Sequence, residues 1–190
     1  MHGIIIKFAK MTYSTALCAV ANKNYHIKIF KPNMQDSSIK ILDTFDKIHK
    51  DYINEVDFQH QTKNAKLASC SYGNIKVIDV NGGKILNKYK NEDGGWVMNV
   101  KFNPIMSNIL ASRNSRGKVR LYDIRLGSSV GGYEFDLFDV SLITESLIGR
   151  LNGVLFSVAG DRGSLQFDES GTLLMAANMS DNIKMIDLRY

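Results

Sequence analysis

The sequence predicts an all-β fold in which one short unit of strands is repeated along the chain. Apolar and polar residues alternate in short runs such as Ile75-Lys76-Val77, which is the period of a half-buried strand. β-Branched and aromatic residues dominate these runs, and Gly, Asn and Asp separate them. The same succession of runs returns after about 44 residues, a length typical of a four-stranded repeat.

The second and third copies show the unit most clearly. In the second copy the predicted strands are Ile53–Phe58, Leu67–Ser71 and Ile75–Asp79. The third copy has the same order in Val97–Phe102, Ile109–Ser112 and Val119–Asp123. In both copies 21 residues separate the Phe that ends the first strand from the Asp that ends the third.

Two further copies flank this pair. The fourth copy consists of Ser164–Asp168, Leu173–Ala177 and Ile183–Asp187. A weaker first copy runs from Ile4–Phe8 through Leu17–Val20 to His26–Phe30. Fourth strands are predicted between the copies, at Ile39–Leu42, Lys84–Tyr89 and Gly132–Phe135. Each unit therefore has four strands.

Composition agrees with one globular domain or a fragment of a larger one. The 190 residues are 44% hydrophobic and 23% charged, which is ordinary globular usage. The net charge of +5 is spread over alternating positions, as on the wet face of a strand. Cys18 and Cys70 lie in apolar runs and fit a reducing compartment better than a disulfide framework. Since no export signal is recognised, we expect a cytoplasmic or nuclear location.

The copies resemble WD repeats. The segments "LASCSYGNIKVIDV", "ILASRNSRGKVRLYDIR" and "LLMAANMSDNIKMIDLR" are similar to the body of that repeat. The resemblance implies a β-propeller with about four blades, at 1–45, 46–90, 91–137 and 162–190. An insertion at 138–161 is a long loop, an extra hairpin or the result of an error in the gene model. Because closed propellers usually have more blades, we expect an incomplete propeller or a fragment.

The resemblance also implies structural roles for particular residues. The family's stabilising network joins a His before the first strand, a Ser in the second strand, an Asp in the turn and a Trp in the third strand. His49 and Asp181 match the His and the turn Asp, whereas Phe30, Ile78, Tyr122 and Ile186 replace the Trp. The Asp residues that end the third strands are Asp79, Asp123 and Asp187. We therefore expect packing to hold these blades more than the network does.

Residues at the starts of first strands are candidates for partner binding, because propellers recruit partners through strand entrances. They are Tyr52, Asn54, Trp96, Met98 and Asn99. Trp and Tyr are common at binding hot spots. Trp96 follows a Gly-Gly turn that we expect to be flexible. Packing between neighbouring blades is the alternative role for Trp96 and for Tyr52.

A second candidate is a pair of Asp-x-Arg endings, Asp123-Ile124-Arg125 and Asp187-Leu188-Arg189. They resemble the paired W-D-x-R motif of substrate receptors for cullin-type ubiquitin ligases, in which the Arg faces the adaptor. Tyr122 and Ile186 stand where that motif has Trp. The alternative is that each Asp fixes a turn and each Arg is solvated or paired with the next blade.

No residue pattern indicates catalysis, a metal site or a cofactor. The four His residues lack the spacing of metal ligands, and the Gly pairs match no phosphate-binding loop. We therefore expect a non-catalytic, protein-binding scaffold within a multiprotein complex and no membrane association. An open sheet edge allows strand addition by a partner.

Three other functions stay open. They are an RNA or ribosome-biogenesis factor, a chromatin-associated subunit, and a coat or nuclear-pore propeller. The densest basic stretch, which would serve nucleic acid if its members share one face, contains Lys84, Lys88, Lys90, Lys101, Arg113, Arg116, Lys118 and Arg120. Fold analogy alone does not choose among these functions.

Overall fold

The protein is all-β in the part of the chain that the computed structural model describes. That part comprises residues 6–11, 17–22, 25–33, 35–36, 38–60, 65–127, 133–134, 153–157, 163–178 and 183–189. Every regular element within these segments is a β-strand. The strands form four small sheets, which follow one another along the chain and are called sheets 1 to 4 here.

Sheets 1 and 2 are antiparallel and have four strands each, joined in sequence order. The strands of sheet 1 are β1 (Ile6–Met11), β2 (Cys18–Asn22), β3 (Ile27–Pro32) and β4 (Ile39–Phe45). Those of sheet 2 are β5 (Glu55–Phe58), β6 (Lys66–Ser71), β7 (Asn74–Asp79) and β8 (Ile85–Lys90). The alternating runs in the sequence therefore become neighbouring strands.

Sheets 3 and 4 repeat the antiparallel order of their first three strands. Sheet 3 consists of β9 (Val97–Phe102), β10 (Ile109–Asn114), β11 (Lys118–Asp123), β12 (Tyr133–Glu134) and β13 (Gly153–Ser157). Sheet 4 consists of β14 (Gly163–Phe167), β15 (Leu173–Asn178) and β16 (Ile183–Asp187). Among the described residues, sheet 4 thus has three strands.

The outer part of sheet 3 corrects the sequence-based expectation. The fourth strand was predicted at Gly132–Phe135, with an insertion at 138–161. In the structure β13, which lies inside that insertion, pairs with β11, and the short β12 runs parallel to β13 on its outer side. β13 carries three consecutive apolar residues after Gly153, whereas the predicted strand is shorter and also begins with a glycine, Gly132, so β13 makes the better partner for β11.

Successive sheets pack face to face and bury the core between them. The residues of sheet 2 that face sheet 1, its backward face, include Val56, Phe58, Leu67 and Ile78. The residues of sheet 2 that face sheet 3, its forward face, are Ala68, Cys70, Ile75 and Val77. Sheet 3 meets sheet 4 in the same way, through Ala111, Val119 and Leu121 against Leu165, Phe167 and Leu174. One apolar layer therefore separates each pair of sheets.

The first strands of the sheets also contact one another. β9 packs on β5, and β1 and β14 pack on β5 and β9 respectively. Polar side chains of β5 reinforce this line: Glu55 accepts the N–H of Val100 at 2.9 Å, and Asp57 accepts that of Phe102 at 2.8 Å. The edge at which first and third strands begin is called the strand-entry edge below.

Candidate functional site

Four aromatic side chains form a row along the strand-entry edge of sheets 1 to 3. The Tyr52 ring stacks on Trp96 with centroids 6.5 Å apart, and the Tyr25 ring lies 5.7 Å from Tyr52. The Tyr72 ring meets Trp96 edge-on at 5.3 Å. Offset and edge-to-face pairs are favourable for aromatic rings. Tyr52 and Tyr72 are 47% and 49% exposed, so this aromatic row offers apolar surface to solvent.

Each member of the aromatic row comes from a loop that enters a strand. Tyr52 and Trp96 precede the first strands β5 and β9, whereas Tyr25 and Tyr72 precede the third strands β3 and β7. Tyr25 has a φ of +68°, a left-handed conformation that costs a residue with a Cβ about 1 kcal/mol or more. Strained backbone of this kind tends to occur at functional sites.

The backbone holds Trp96 firmly in the row. Trp96 forms an isolated antiparallel bridge with Tyr72, which joins sheet 3 to sheet 2. The N–H of Gly73 donates to the carbonyl of Gly95 at 2.9 Å. The turn before Trp96, which the sequence suggested to be flexible, is thus hydrogen-bonded to the neighbouring sheet through its backbone.

An ion pair between Asp93 and two basic side chains stabilises the turn before Trp96. The Asp93 carboxylate lies 2.8 Å from Lys118 Nζ and 2.7 Å from Arg120 Nη2. Asn114 Nδ2 donates to the same carboxylate at 2.9 Å. Arg120 also donates to Asn91, whose amide in turn donates to the carbonyl of Gly94, so that the pair is linked to the Gly-Gly turn.

Electrostatics keep Asp93 ionised. Burial alone would raise the pKa of its carboxyl. The hydrogen bonds and positive charges of Lys118 and Arg120 outweigh burial and hold the pKa of Asp93 below its ordinary value. The base of the aromatic row is therefore an ion pair throughout the neutral pH range.

Sheet 2 has a neutral network at the corresponding place. His49 Nε2 lies 2.8 Å from Ser69 Oγ, and both side chains are buried. The pKa of His49 is lowered to about 4, mainly because the imidazole is buried and also because the positive charge of Lys76 is close to it. His49 is therefore uncharged at neutral pH.

The two networks occupy equivalent positions in the repeat. His49 and Asp93 each lie 9 residues before the Phe that ends a first strand. Asn74 of sheet 2 corresponds in the same way to Lys118 of sheet 3, and Ser69 corresponds to Ser112 by strand register. The imidazole and amide of one repeat are replaced by a carboxylate and an ammonium in the next. The loop is thus fixed by different chemistry in the two sheets, to Ser69 of the second strand in sheet 2 and to Lys118 of the turn in sheet 3.

The structure brings the predicted first-strand residues together but gives them different surroundings. Asn54 is buried and donates to the carbonyl of Val97 at 2.8 Å. Its amide also lies 3.9 Å from the sulfur of Met98. Asn99 donates to Glu55 at 3.3 Å. Asn54 and Asn99 thus connect sheets 2 and 3 beside the aromatic row, and Tyr52 is the most exposed of the predicted set.

The Asp-x-Arg pairs lie at the opposite edge, where third strands end. Arg125 Nε donates to Asp123 at 2.9 Å, and Arg189 Nε donates to Asp187 at the same distance. Each Asp also accepts the backbone N–H of its Arg at 3.0 Å. The hydrogen bond from Arg189 lowers the pKa of Asp187 to about 2. Both Arg side chains remain mostly exposed, at 67% and 59%.

Asp79 closes the corresponding turn of sheet 2. Its carboxylate accepts the backbone N–H of Asn81 at 3.1 Å, two residues further on. The three Asp residues that end third strands therefore share one turn geometry. Asp181, the fourth Asp with a predicted structural role, lies outside the described residues.

The basic stretch does not form one face. Arg113 is fully buried, and Arg120 and Lys118 are engaged with Asp93. Lys101 pairs with Glu55 at 2.5 Å between sheets 2 and 3. Half of the stretch is therefore used inside the fold. The exposed remainder consists of Lys84, Lys88, Lys90 and Arg116. This distribution weakens the case for nucleic-acid binding.

Sequence reasoning missed two members of the aromatic row. Tyr25 and Tyr72 both lie in the turn between the second and third strands, in successive repeats. An aromatic residue that recurs in the same turn of successive repeats was the signal that could have found them. The Asp93 network was also missed, because the residues that contact Asp93 are Lys, Arg and Asn, which the stabilising network of WD repeats does not use.

The described residues contain neither a cluster of metal-binding side chains nor a membrane-spanning helix. No group of three His, Cys, Asp or Glu side chains there has the arrangement of a metal site. The same residues contain no helix with the length and apolar character needed to cross a membrane.

No protein-family model matches the chain, and no curated protein matches it. The site must therefore be interpreted from its own geometry.

Proposed function

We propose that the chain is a segment of a WD-repeat β-propeller and serves as a non-catalytic scaffold that binds a protein partner through the aromatic row. Propeller blades are four-stranded antiparallel sheets arranged around a centre. The succession of small sheets, with first strands in mutual contact, supports this proposal. The His49–Ser69 hydrogen bond supports it as well, because it joins the two positions at which WD repeats carry a His and a Ser.

The aromatic row is the observation that carries the binding proposal. Large aromatic side chains that are partly exposed and rigidly held make strong contact surfaces, because little side-chain entropy is lost on binding. Tyr52 and Tyr72 offer exposed rings, and the bridged backbone fixes Trp96 between them. The nearby Asn54 and Met98 add a polar group and an adaptable apolar group.

Peptide selection tests this proposal. A random-peptide phage library is selected on the chain, and the peptides obtained are titrated while the emission of Trp96, its single tryptophan, is followed. We expect Tyr52→Ser and Tyr72→Ser each to weaken binding by about tenfold or more, since hot-spot truncation costs over about 1 kcal/mol.

Ile105→Ser is the matched control for these variants. Ile105 is 53% exposed and lies in the turn between β9 and β10, at the opposite edge from the aromatic row. Its substitution should leave peptide binding unchanged. Equal affinity of the wild type and Tyr52→Ser for every selected peptide would contradict the proposal.

The paired Asp-x-Arg endings support a narrower version, in which the scaffold is a substrate receptor of a cullin-type ubiquitin ligase. The favouring observation is that two exposed guanidinium groups have the same geometry in sheets 3 and 4. Titration of an isolated cullin adaptor against the wild type and an Arg125→Glu, Arg189→Glu double variant tests it. Binding that the double variant loses is expected, and absence of binding to the wild type would refute this version.

A further inference from the structure

The forward faces of the sheets follow one packing rule. In sheet 2 this face consists of Ala68, Cys70, Ile75 and Val77, which are 0 to 1% exposed beneath sheet 3. The register gives the equivalent residues of sheet 1 as Ala19, Ala21, Ile27 and Ile29, all fully buried beneath sheet 2. In each case the backward face of the following sheet is the cover.

Sheet 4 departs from this rule. Met175 pairs with Met185 in register, as Ala68 pairs with Val77 in sheet 2, and Ile183 corresponds to Ile75. These three residues are 43%, 63% and 66% exposed. A strand face that is meant for water normally carries polar residues. The forward face of sheet 4 is therefore an apolar face of the kind that packs against another sheet, and its described residues are exposed.

Sheet 1 has its opposite face partly exposed. Its backward face includes Cys18, Val20 and Phe30, which are of intermediate exposure. The register matches Cys18 and Phe30 to Leu67 and Ile78 of sheet 2, which are fully buried. The described residues thus include an exposed forward face and a partly exposed backward face, and these are the two kinds of surface that pack together between neighbouring sheets.

We propose that the forward face of sheet 4 binds the backward face of sheet 1 of a second copy, and that two copies close head to tail. Such an interface is heterologous, since it joins two different surfaces, and it forms a ring when the rotation closes. Two copies contribute eight sheets, which lies within the range of roughly four to eight blades found in propellers. This interface does not depend on the aromatic row.

The mass in solution tests this inference. Light scattering after size exclusion of the full chain should give twice the chain mass of 21.3 kDa. Met185→Lys in the forward face and Val20→Lys in the backward face should each reduce the mass to that of one chain. Ile105→Lys, a charge on exposed surface outside both faces, should leave the dimer intact.

Mixing the two monomeric variants separates this interface from other contacts. One intact forward face and one intact backward face remain in the mixture, so a heterodimer should form at twice the chain mass. Its formation also proves that both variants are folded. A symmetric contact between two forward faces would leave Val20→Lys dimeric on its own, and that result would overturn the proposal.

Oxidation of methionine gives an independent measurement. In the wild-type dimer Met175 and Met185 should resist peroxide, whereas in Val20→Lys both should oxidise at the rate of an exposed methionine such as Met106. A monomeric wild type would overturn the proposal. Rapid oxidation of Met175 and Met185 in that monomer would show the face bare, and slow oxidation would show it covered by another part of the same polypeptide.

Discussion

His49 and Asp93 occupy equivalent positions before the first strands of sheets 2 and 3, yet one is a neutral imidazole and the other an ionised carboxylate. His49 is hydrogen-bonded to Ser69 of the second strand, and Asp93 is paired with Lys118 of the following turn. The loop before the first strand is thus held to its sheet by a neutral hydrogen bond in one repeat and by an ion pair in the next. The two solutions differ in their response to pH.

The neutral His49 predicts a loss of stability in mild acid. Its pKa is about 4 in the folded protein and 6.5 when unperturbed, so the unfolded chain takes up the proton first. The stabilisation is complete above about pH 6.5 and is lost as the pH falls toward 4, by up to about 3 kcal/mol. Denaturant unfolding of the wild type across this range should show the decline.

His49→Gln is the matching variant. The amide can still bond Ser69 but does not titrate, so its unfolding free energy should stay level over the same pH range after an initial loss at neutral pH. Parallel pH profiles of the wild type and His49→Gln would show that His49 is not the titrating group.

The Asp93 ion pair predicts a different response. Asp93→Asn keeps the shape of the side chain but leaves Arg120, which is nearly buried, without its counter-charge. Loss of one partner of a buried pair costs about 3 kcal/mol. Unfolding at neutral pH should show a decrease of this size, and Trp96 emission should report a looser aromatic row. Glu92→Gln, at the exposed neighbouring position, should change little.

The first three strands of each repeat and the turns between them were predictable, because apolar and polar residues alternate along the strands and Gly, Asn and Asp mark the turns. Predicted Ile75–Asp79 and Val97–Phe102 agree with β7 and β9 to within a residue. The place of β13 was not predictable, because a distant strand can occupy an outer position whenever it pairs better than the local one. Which side chains meet across sheets, as Tyr52 and Trp96 do, also depends on packing that no local pattern contains.

The junction of sheets 3 and 4 depends on one close approach at a turn. Gly171 has φ +68°, and its carbonyl accepts a hydrogen bond from Asn103 at 2.7 Å. A Cβ at Gly171 would lie 2.2 Å from Asn103 Oδ1. Gly171→Ala should therefore both strain the turn and displace the contact between the sheets, with a loss of about 2 to 3 kcal/mol.

Gly127→Ala measures the backbone strain alone, so its difference from Gly171→Ala gives the contribution of the contact with Asn103. Gly127 has nearly the same φ, +71°, but an added Cβ meets nothing within 4 Å. Its substitution should cost only the backbone strain, about 1 kcal/mol. Thermal or denaturant unfolding of both variants gives the comparison, and equal losses would mean that the contact with Asn103 contributes nothing.

At the scale of the whole molecule, the described residues form three kinds of surface that are separate in space. The aromatic row lies at the strand-entry edge, the Asp-x-Arg pairs lie at the opposite edge, and the exposed faces of sheets 1 and 4 lie at the two ends of the series of sheets. A scaffold needs such separation, because partners can then bind together. The proposals for these surfaces can therefore fail independently.

Amide hydrogen exchange, with and without the strongest selected peptide, tests the binding proposal most directly. The account predicts slower exchange on binding at the loops around Tyr52, Tyr72 and Trp96, where the N–H of Gly73 donates to the carbonyl of Gly95 and that of Asn54 to the carbonyl of Cys70. Protection confined to the turns at Arg125 and Arg189, or to the outer strands, would contradict the assignment of the aromatic row as the partner-binding surface.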